Sequence, residues 1–161
     1  MIGVYLLLGS NLGNRQLFLQ QAINHIEAEA GPVIKKSGLY ETQSWGKNDA
    51  PDYLNQVLLI HTTLAAPALL NKLLDIELLL GRVREEKWGA RVIDIDILFY
   101  DDEIIDSPDL KIPHPELHKR RFTLEPLAEI APNFKHPVFK VDIEVLKNNL
   151  QDKLEVKKIY F

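Results

Sequence analysis

Two aspartates, Asp94 and Asp96, interrupt an otherwise apolar stretch, RVIDIDILFY, at residues 91 to 100. The stretch is β-branched and aromatic and reads as a strand bound for a core. Side chains alternate across a strand, so both carboxylates project from one face, roughly 6–7 Å apart at the backbone. Val92, Leu98 and Tyr100 share that face, and Arg91, Ile93, Ile95, Ile97 and Phe99 take the other. Two like charges this close repel one another and raise a pKa unless a cation lies between them. Hard carboxylate oxygens suit Mg2+ or Ca2+, and Mg2+ is commonly held by one or two carboxylates plus substrate phosphates. A solvated strand face is the plain alternative, because D-x-D alone is common by chance. Arg91 beside the pair and a basic stretch just upstream favour chemistry. Carboxylates for a metal, with arginines for phosphate, are the equipment of phosphoryl transfer.

The basic residues cluster. Residues 82–91 carry Arg82, Arg84, Lys87 and Arg91 against Glu85 and Glu86. Residues 111–121 carry Lys111, Lys119, Arg120 and Arg121 against Glu116, with His114 and His118 besides. The whole chain of 161 residues has a net charge of −4, so the remainder is acidic. Two basic loops on an acidic body suit a local anionic ligand better than a long polyanion, so no nucleic-acid partner is expected. Two solvated loops would give the same charge pattern. With 46% apolar and 26% charged residues, the chain reads as one globular domain over residues 1–161. No apolar run is long enough to span a membrane. The start, MIGVYLLLGS, lacks the features of a signal peptide, and cysteine is absent. Both fit a cytoplasmic protein.

The elements that must position these residues follow from periodicity and punctuation. Residues 2–8 read as a strand, GSNLGN as a turn, and residues 15–28 as a helix with Leu19, Ala22, Ile23 and Ile26 at helical spacing. Strands follow at 33–42 and 53–63. Pro67 suits the first turn of a second helix, whose apolar stripe holds Leu70, Leu73, Leu74, Glu77 and Leu80 before Gly81 ends it. After the basic loop comes the aspartate strand. The order β-α-β-β-α-β is that of an α+β, ferredoxin-like fold: an antiparallel sheet with both helices on one face. Its other face is left for further chain or ligand. Residues 101–161 form a C-terminal extension: a hairpin around 101–103, a Pro-rich basic loop, helices near 124–130 and 142–150, and a tail that can pair as an edge strand. The P-loop pattern G-x-x-x-x-G-K-[ST] and the dinucleotide pattern G-x-G-x-x-G are both missing. If the chain handles ATP, it does so with arginines and metal.

Several segments together match one pattern: GSNLGNR, YET, PDYLNQV, IELLLGRVR, KWGARVIDIDIL and IPHPELHKRRFTLEPLAEIAP. In order and spacing they resemble the 6-hydroxymethyl-7,8-dihydropterin pyrophosphokinases of folate biosynthesis, over residues 3–132. The resemblance implies a cytoplasmic, monomeric enzyme that moves pyrophosphate from ATP to the hydroxymethyl group of the reduced pterin and releases AMP. It implies two Mg2+ ions held by Asp94 and Asp96. It assigns Arg82, Arg84 and Arg91 to the triphosphate, with Arg82 and Arg91 also stabilising the transition state. His114 and Arg120 match the nucleotide side.

For the pterin, the resemblance assigns Tyr53 and Phe122 to the two ring faces, Asn55 to the ring edge, Trp88 to a closing loop, and Thr42 and Trp45 to backbone contacts. The flat, hydrogen-bonding heterocycle needs such aromatic faces and fixed polar groups. The chain departs from the family at three places. Lys87 stands where an arginine is common and cannot form the planar guanidinium fork. Ala90 replaces a proline, and Gln43-Ser44 replaces a pair of prolines. His118, Lys119 and Arg121 read as solvated charge, and His25, His61 and His136 as structural. The alternative from another class is a non-catalytic ferredoxin-like module that binds a ligand or RNA. Strand one lacks the charged aromatic pattern an RNA-binding sheet would show.

Overall fold

A computed structural model gives the structure of the chain and describes residues 1–42, 52–81, 92–152 and 155–160. The apolar run after Met1 forms β1 (Ile2–Ser10), whose Val4, Leu6 and Leu8 are fully buried. The Asn14 side chain then accepts from the Leu17 amide at 3.1 Å and starts α1 (Arg15–Glu29). Leu19, Ala22, Ile23 and Ile26 of this helix face the core, as their spacing predicts. The helix stops at Gly31, where φ is +154° and an added Cβ would lie 2.0 Å from the His61 carbonyl oxygen. Only glycine lets the helix end come this close to the sheet.

The segment read as one strand over 33–42 is two, β2 (Val33–Lys36) and β3 (Leu39–Thr42), and both pair with β4 (Tyr53–Thr62). The break falls at Ser37 and Gly38. The Ser37 amide donates to the Val57 carbonyl at 2.9 Å, while Ser37 Oγ accepts from the Val57 amide at 3.0 Å. A side chain thus stands in for one rung of the ladder where the strand breaks. Next come α2 (Ala66–Leu79), with Pro67 in its first turn, and β5 (Asp94–Tyr100), which pairs with β1.

A last strand, β8 (Val156–Ile159), pairs with β3. The sheet runs β5-β1-β4-β3-β8, with β2 also on β4, and every pairing is antiparallel. Helices α1 and α2 cover one face over a core that includes Leu6, Leu8, Leu54, Leu58, Leu69 and Ile95. The expected hairpin is displaced. The chain turns at Asp101 and Asp102, but the pairing is between β6 (Ile105–Asp106) and β7 (Lys111–Ile112), not back onto β5.

The second face is only partly open. A short 3-10 turn (Leu117–Lys119), α3 (Arg121–Ile130) and α4 (Ile143–Asn148) pack on it through Leu117, Leu124, Leu127 and Ile143, against Leu7, Val57, Leu98 and Phe99 of the sheet. Fully burying each such leucine contributes roughly 1.5–3 kcal/mol, enough to hold the C-terminal extension down. The alternation expected along β5 holds from Asp94 to Leu98 and then fails. A bulge between Tyr5 and Leu6 pairings leaves Leu98 as an extra residue. Phe99 therefore joins the second core, and Tyr100 joins the helix-covered core, the reverse of strict alternation. Among the described residues no helix is long and apolar enough to cross a membrane.

Candidate active site

Antiparallel partners point to the same face, so strand register places side chains in rows across the sheet. On the second face, Thr42 of β3 stands opposite Tyr53 of β4. The next row runs Tyr40, Asn55, Gly9 and Asp94, across β3, β4, β1 and β5. The row after it holds Val57, Leu7 and Asp96. Thr42, Tyr53, Asn55, Asp94 and Asp96, all singled out in the sequence, therefore come together on one face. The two apolar members of the last row belong to the core under α3, so the acids sit where the covered part of this face gives way.

Gly9 makes the middle of this surface. A Cβ there would lie 2.7 Å from Asn55 Nδ2 and 3.6 Å from Tyr53 Cδ1, so both side chains lie over the glycine. Asn55 is 5% exposed. Its Nδ2 donates to the Leu8 carbonyl at 3.3 Å, which fixes the amide. Its Oδ1 is buried with no hydrogen-bond partner among the described residues. A buried acceptor costs free energy until a donor meets it, so this oxygen is a ready contact for a ligand N–H. Thr42 Oγ1 donates to the Glu155 carbonyl at 3.1 Å, which ties the end of β3 to the C-terminal segment.

Asp94 and Asp96 are half-buried on β5. Their backbone is pinned from behind: the Ile95 amide between them donates to Glu77 Oε2 of α2 at 2.6 Å. Glu77 is 3% exposed. Sequence reasoning counted it only as part of an apolar stripe; an acid among leucines was the available signal. Two carboxylates with hard oxygens fit a divalent cation whose remaining ligands are phosphate oxygens and water. Among the described residues no group of three or more His, Cys, Asp or Glu side chains gathers to hold a metal by protein ligands alone.

His114 follows a cis Ile112–Pro113 peptide, and its amide donates to the Leu98 carbonyl at 3.0 Å. Its Nδ1 accepts from the Glu116 amide at 3.1 Å, so the ring is neutral with its proton on Nε2. Burial, reinforced by the Arg120 charge, lowers its pKa to about 4. The Arg120 guanidinium lies over the Phe122 ring, 5.5 Å from its centroid, at the start of α3. A nucleotide candidate and a pterin candidate thus touch each other.

Three residues read as solvated charge divide. Lys119 is exposed, His118 packs against Phe139 with centroids 4.6 Å apart, and Arg121 pairs with Glu125 at 3.6 Å. His136 is structural, as expected: it is 3% exposed, and its Nδ1 accepts from the Val138 and Phe139 amides at 3.1 and 3.2 Å. On the same face, Glu129 of α3 accepts from the Tyr40 hydroxyl at 2.6 Å and from the Gly38 amide. Burial alone would raise the Glu129 carboxyl; bonds from Tyr40, Gly38 and Lys158 outweigh it and hold the pKa low. Trp45, Arg82, Arg84, Lys87, Trp88 and Arg91 lie outside the described residues, as do Gln43, Ser44 and Ala90.

The family model described as 7,8-dihydro-6-hydroxymethylpterin-pyrophosphokinase (HPPK) matches residues 5–132. A curated 2-amino-4-hydroxy-6-hydroxymethyldihydropteridine pyrophosphokinase of Aquifex aeolicus is 44% identical over 147 residues, covering 91% of this chain and 91% of the relative. One of Bacillus subtilis is 42% identical over 128 residues, covering 79% and 77%. Among solved structures, wild-type Plasmodium falciparum HPPK-DHPS superposes with a TM-score of 0.74 at 18% identity. That likeness covers 91% of this chain but 44% of the solved one, so this chain spans less than half of that protein.

Proposed function

The chain belongs to the 7,8-dihydro-6-hydroxymethylpterin-pyrophosphokinase family and transfers pyrophosphate from ATP to 6-hydroxymethyl-7,8-dihydropterin in folate biosynthesis; we propose that the second face of its sheet performs the reaction. The observation that carries this proposal is one row of the sheet. Asn55, with its unpaired buried Oδ1, and Asp94 flank Gly9 on adjacent strands. Strands lie about 4.8 Å apart, so the two side chains root about 10 Å from each other. A bicyclic pterin read at its edge by Asn55 can direct its hydroxymethyl arm toward the carboxylates. Tyr53 and Phe122 supply ring faces, and Thr42 lies at the edge of the same wall.

Asp94 and Asp96 would hold Mg2+, two ions in our reading. When bound, magnesium would offset negative charge on the phosphate oxygens during transfer. The rest falls to the chain's own groups. Asn55 fixes the pterin in the ring plane. Glu77 keeps the β5 backbone, and with it the spacing of the two acids, from shifting. His114, neutral at physiological pH, offers the Nε2 proton to the nucleotide, and Arg120 offers positive charge.

The pterin hydroxyl oxygen bonds to the β-phosphorus as the bond from that phosphorus to the α-phosphate bridging oxygen breaks. AMP leaves with that bridging oxygen, and the hydroxyl proton passes to solvent. Catalysis by position and charge needs no dedicated strong base. The arginines at 82, 84 and 91 complete the phosphate clamp in this reading. Trp88 and Trp45 close the pterin side, and Lys87 contributes a point charge.

We also read the fold as ferredoxin-like. The element order supports this, and so does the strand order fourth-first-third-second when β2 and β3 count as one strand. The test of the function is direct. The purified chain is incubated with ATP, magnesium and hydroxymethyldihydropterin, and AMP is followed. AMP should form only when all three are present, in step with pterin diphosphate. AMP release that ignores the pterin would overturn the proposal.

A further inference from the structure

We propose that Asp152, far along the chain from every motif, is a positioning residue for both substrates, acting through the first turn of α3. Helix α3 begins at Arg121, and Arg120 before it provides no side-chain cap. The Asp152 carboxylate takes that role from another part of the chain: its Oδ2 accepts from the Arg121 amide at 2.9 Å, across 31 positions of sequence. The first amides of a helix have no intrahelical acceptor, and a carboxylate there is also favoured by the helix dipole. Arg121 lies between Arg120 and Phe122, whose side chains stack at 5.5 Å. Fixing the Arg121 amide therefore fixes the backbone that presents both.

Described residues just beyond Asp152 hold Thr42, another residue assigned to the pterin. Three residues on, the Glu155 carbonyl accepts from Thr42 Oγ1 at 3.1 Å, and Val156 then pairs with Thr42 in the sheet. Asp152 thus bonds to the start of α3, and Glu155 to the end of β3. Among the described residues between α4 and β8, Asp152 is the one whose side chain bonds to α3. This proposal rests on the pterin and nucleotide roles of Phe122 and Arg120 given above.

The test compares full-length wild type, Asp152→Ala, Asp152→Asn and a control, Thr62→Val. Thr62 Oγ1 donates to the Ala30 carbonyl at 2.7 Å, at the far end of β4, so the control loosens the fold away from the site. Asp152→Ala should raise the KM for both substrates about 5-fold, the size of a lost helix cap, with kcat within about twofold. Amide exchange at Arg121 should quicken by about the same factor. Asparagine keeps an acceptor without the charge, so Asp152→Asn should lie between wild type and Asp152→Ala. Thr62→Val should lower the melting temperature and leave both KM values alone.

Unchanged KM values in folded Asp152→Ala would overturn the proposal, whether or not its melting temperature falls. So would a rise in KM for Thr62→Val. If Asp152→Ala does not fold, Asp152→Asn decides: a rise of about twofold in both KM values supports the role, and wild-type values refute it. A wild type that releases no AMP would sink the functional reading instead, while the exchange measurement still reports on the Asp152 bond.

Discussion

Replacing Gly9 with alanine separates the fit of the proposed pterin surface from the stability of the fold. The new Cβ would lie 2.7 Å from Asn55 Nδ2, whereas ordinary contact begins near 3.4 Å. The Asn55 amide must retreat by most of that difference, and its bond to the Leu8 carbonyl, already 3.3 Å long, cannot survive the shift. Losing a buried neutral hydrogen bond costs about 1 kcal/mol. Alanine in place of a strand glycine returns about 0.5–1 kcal/mol through lower chain entropy. The two effects nearly cancel, so the melting temperature should move by only a few degrees. Binding has no such compensation. Asn55 Oδ1, the buried acceptor proposed to meet the pterin edge, is displaced with the rest of the amide. A misplaced hydrogen bond of about 1.4 kcal/mol corresponds to about tenfold in affinity. Pterin titration by fluorescence or calorimetry, with ATP affinity measured alongside, reads this out. Wild-type pterin affinity in Gly9→Ala would refute the role given to Asn55.

Other consequences follow from the same geometry. Glu77→Ala should leave the Ile95 amide without its acceptor and cost about 1–3 kcal/mol in urea unfolding, together with lower activity as the acids lose their fixed spacing. His114 and His136 both have pKa values lowered by burial to about 4, against an ordinary value near 6.5. Between these values the unfolded chain binds more protons, so stability is full above about pH 6.5 and is lost as pH falls toward 4. Each histidine contributes at most about 1.4 kcal/mol per pH unit. Thermal melts from pH 7.5 to 4.5 should show this slope, and His136→Phe should flatten it. Because His114 stays neutral above about pH 5, its ionisation should add no limb to the rate profile between pH 6 and 8.

Much of this was legible in the sequence, for identifiable reasons. Leu19, Ala22, Ile23 and Ile26 mark α1 by spacing alone, and Asp94 and Asp96 share a face because strand geometry demands it. What the sequence concealed is where one residue changes the register. The bulge at Leu98 exchanges the faces of Phe99 and Tyr100, and the break at Ser37 and Gly38 divides one strand in two, yet neither alters the apolar pattern. Long-range bonds were equally hidden. Tyr40 meets Glu129 across 89 positions, and Arg121 meets Asp152 across 31, and no local periodicity carries such contacts. The family pattern supplied roles for Tyr53, Asn55 and Phe122 that aromatic and amide residues in a core would not have suggested. Register then explains how Tyr53 and Asn55 come to share a face with the two acids.

The most direct measurement is AMP formation in wild type, Asp94→Ala and Asp96→Ala with ATP, magnesium and hydroxymethyldihydropterin, each variant shown to be folded by circular dichroism. Loss of a group that stabilises charge in the transition state costs about 10²–10³ in rate, and each variant should fall by at least that much. Pterin affinity measured without nucleotide should stay within a few-fold of wild type. Turnover at the wild-type rate in Asp96→Ala would contradict the assignment of this pair of carboxylates to the phosphoryl chemistry.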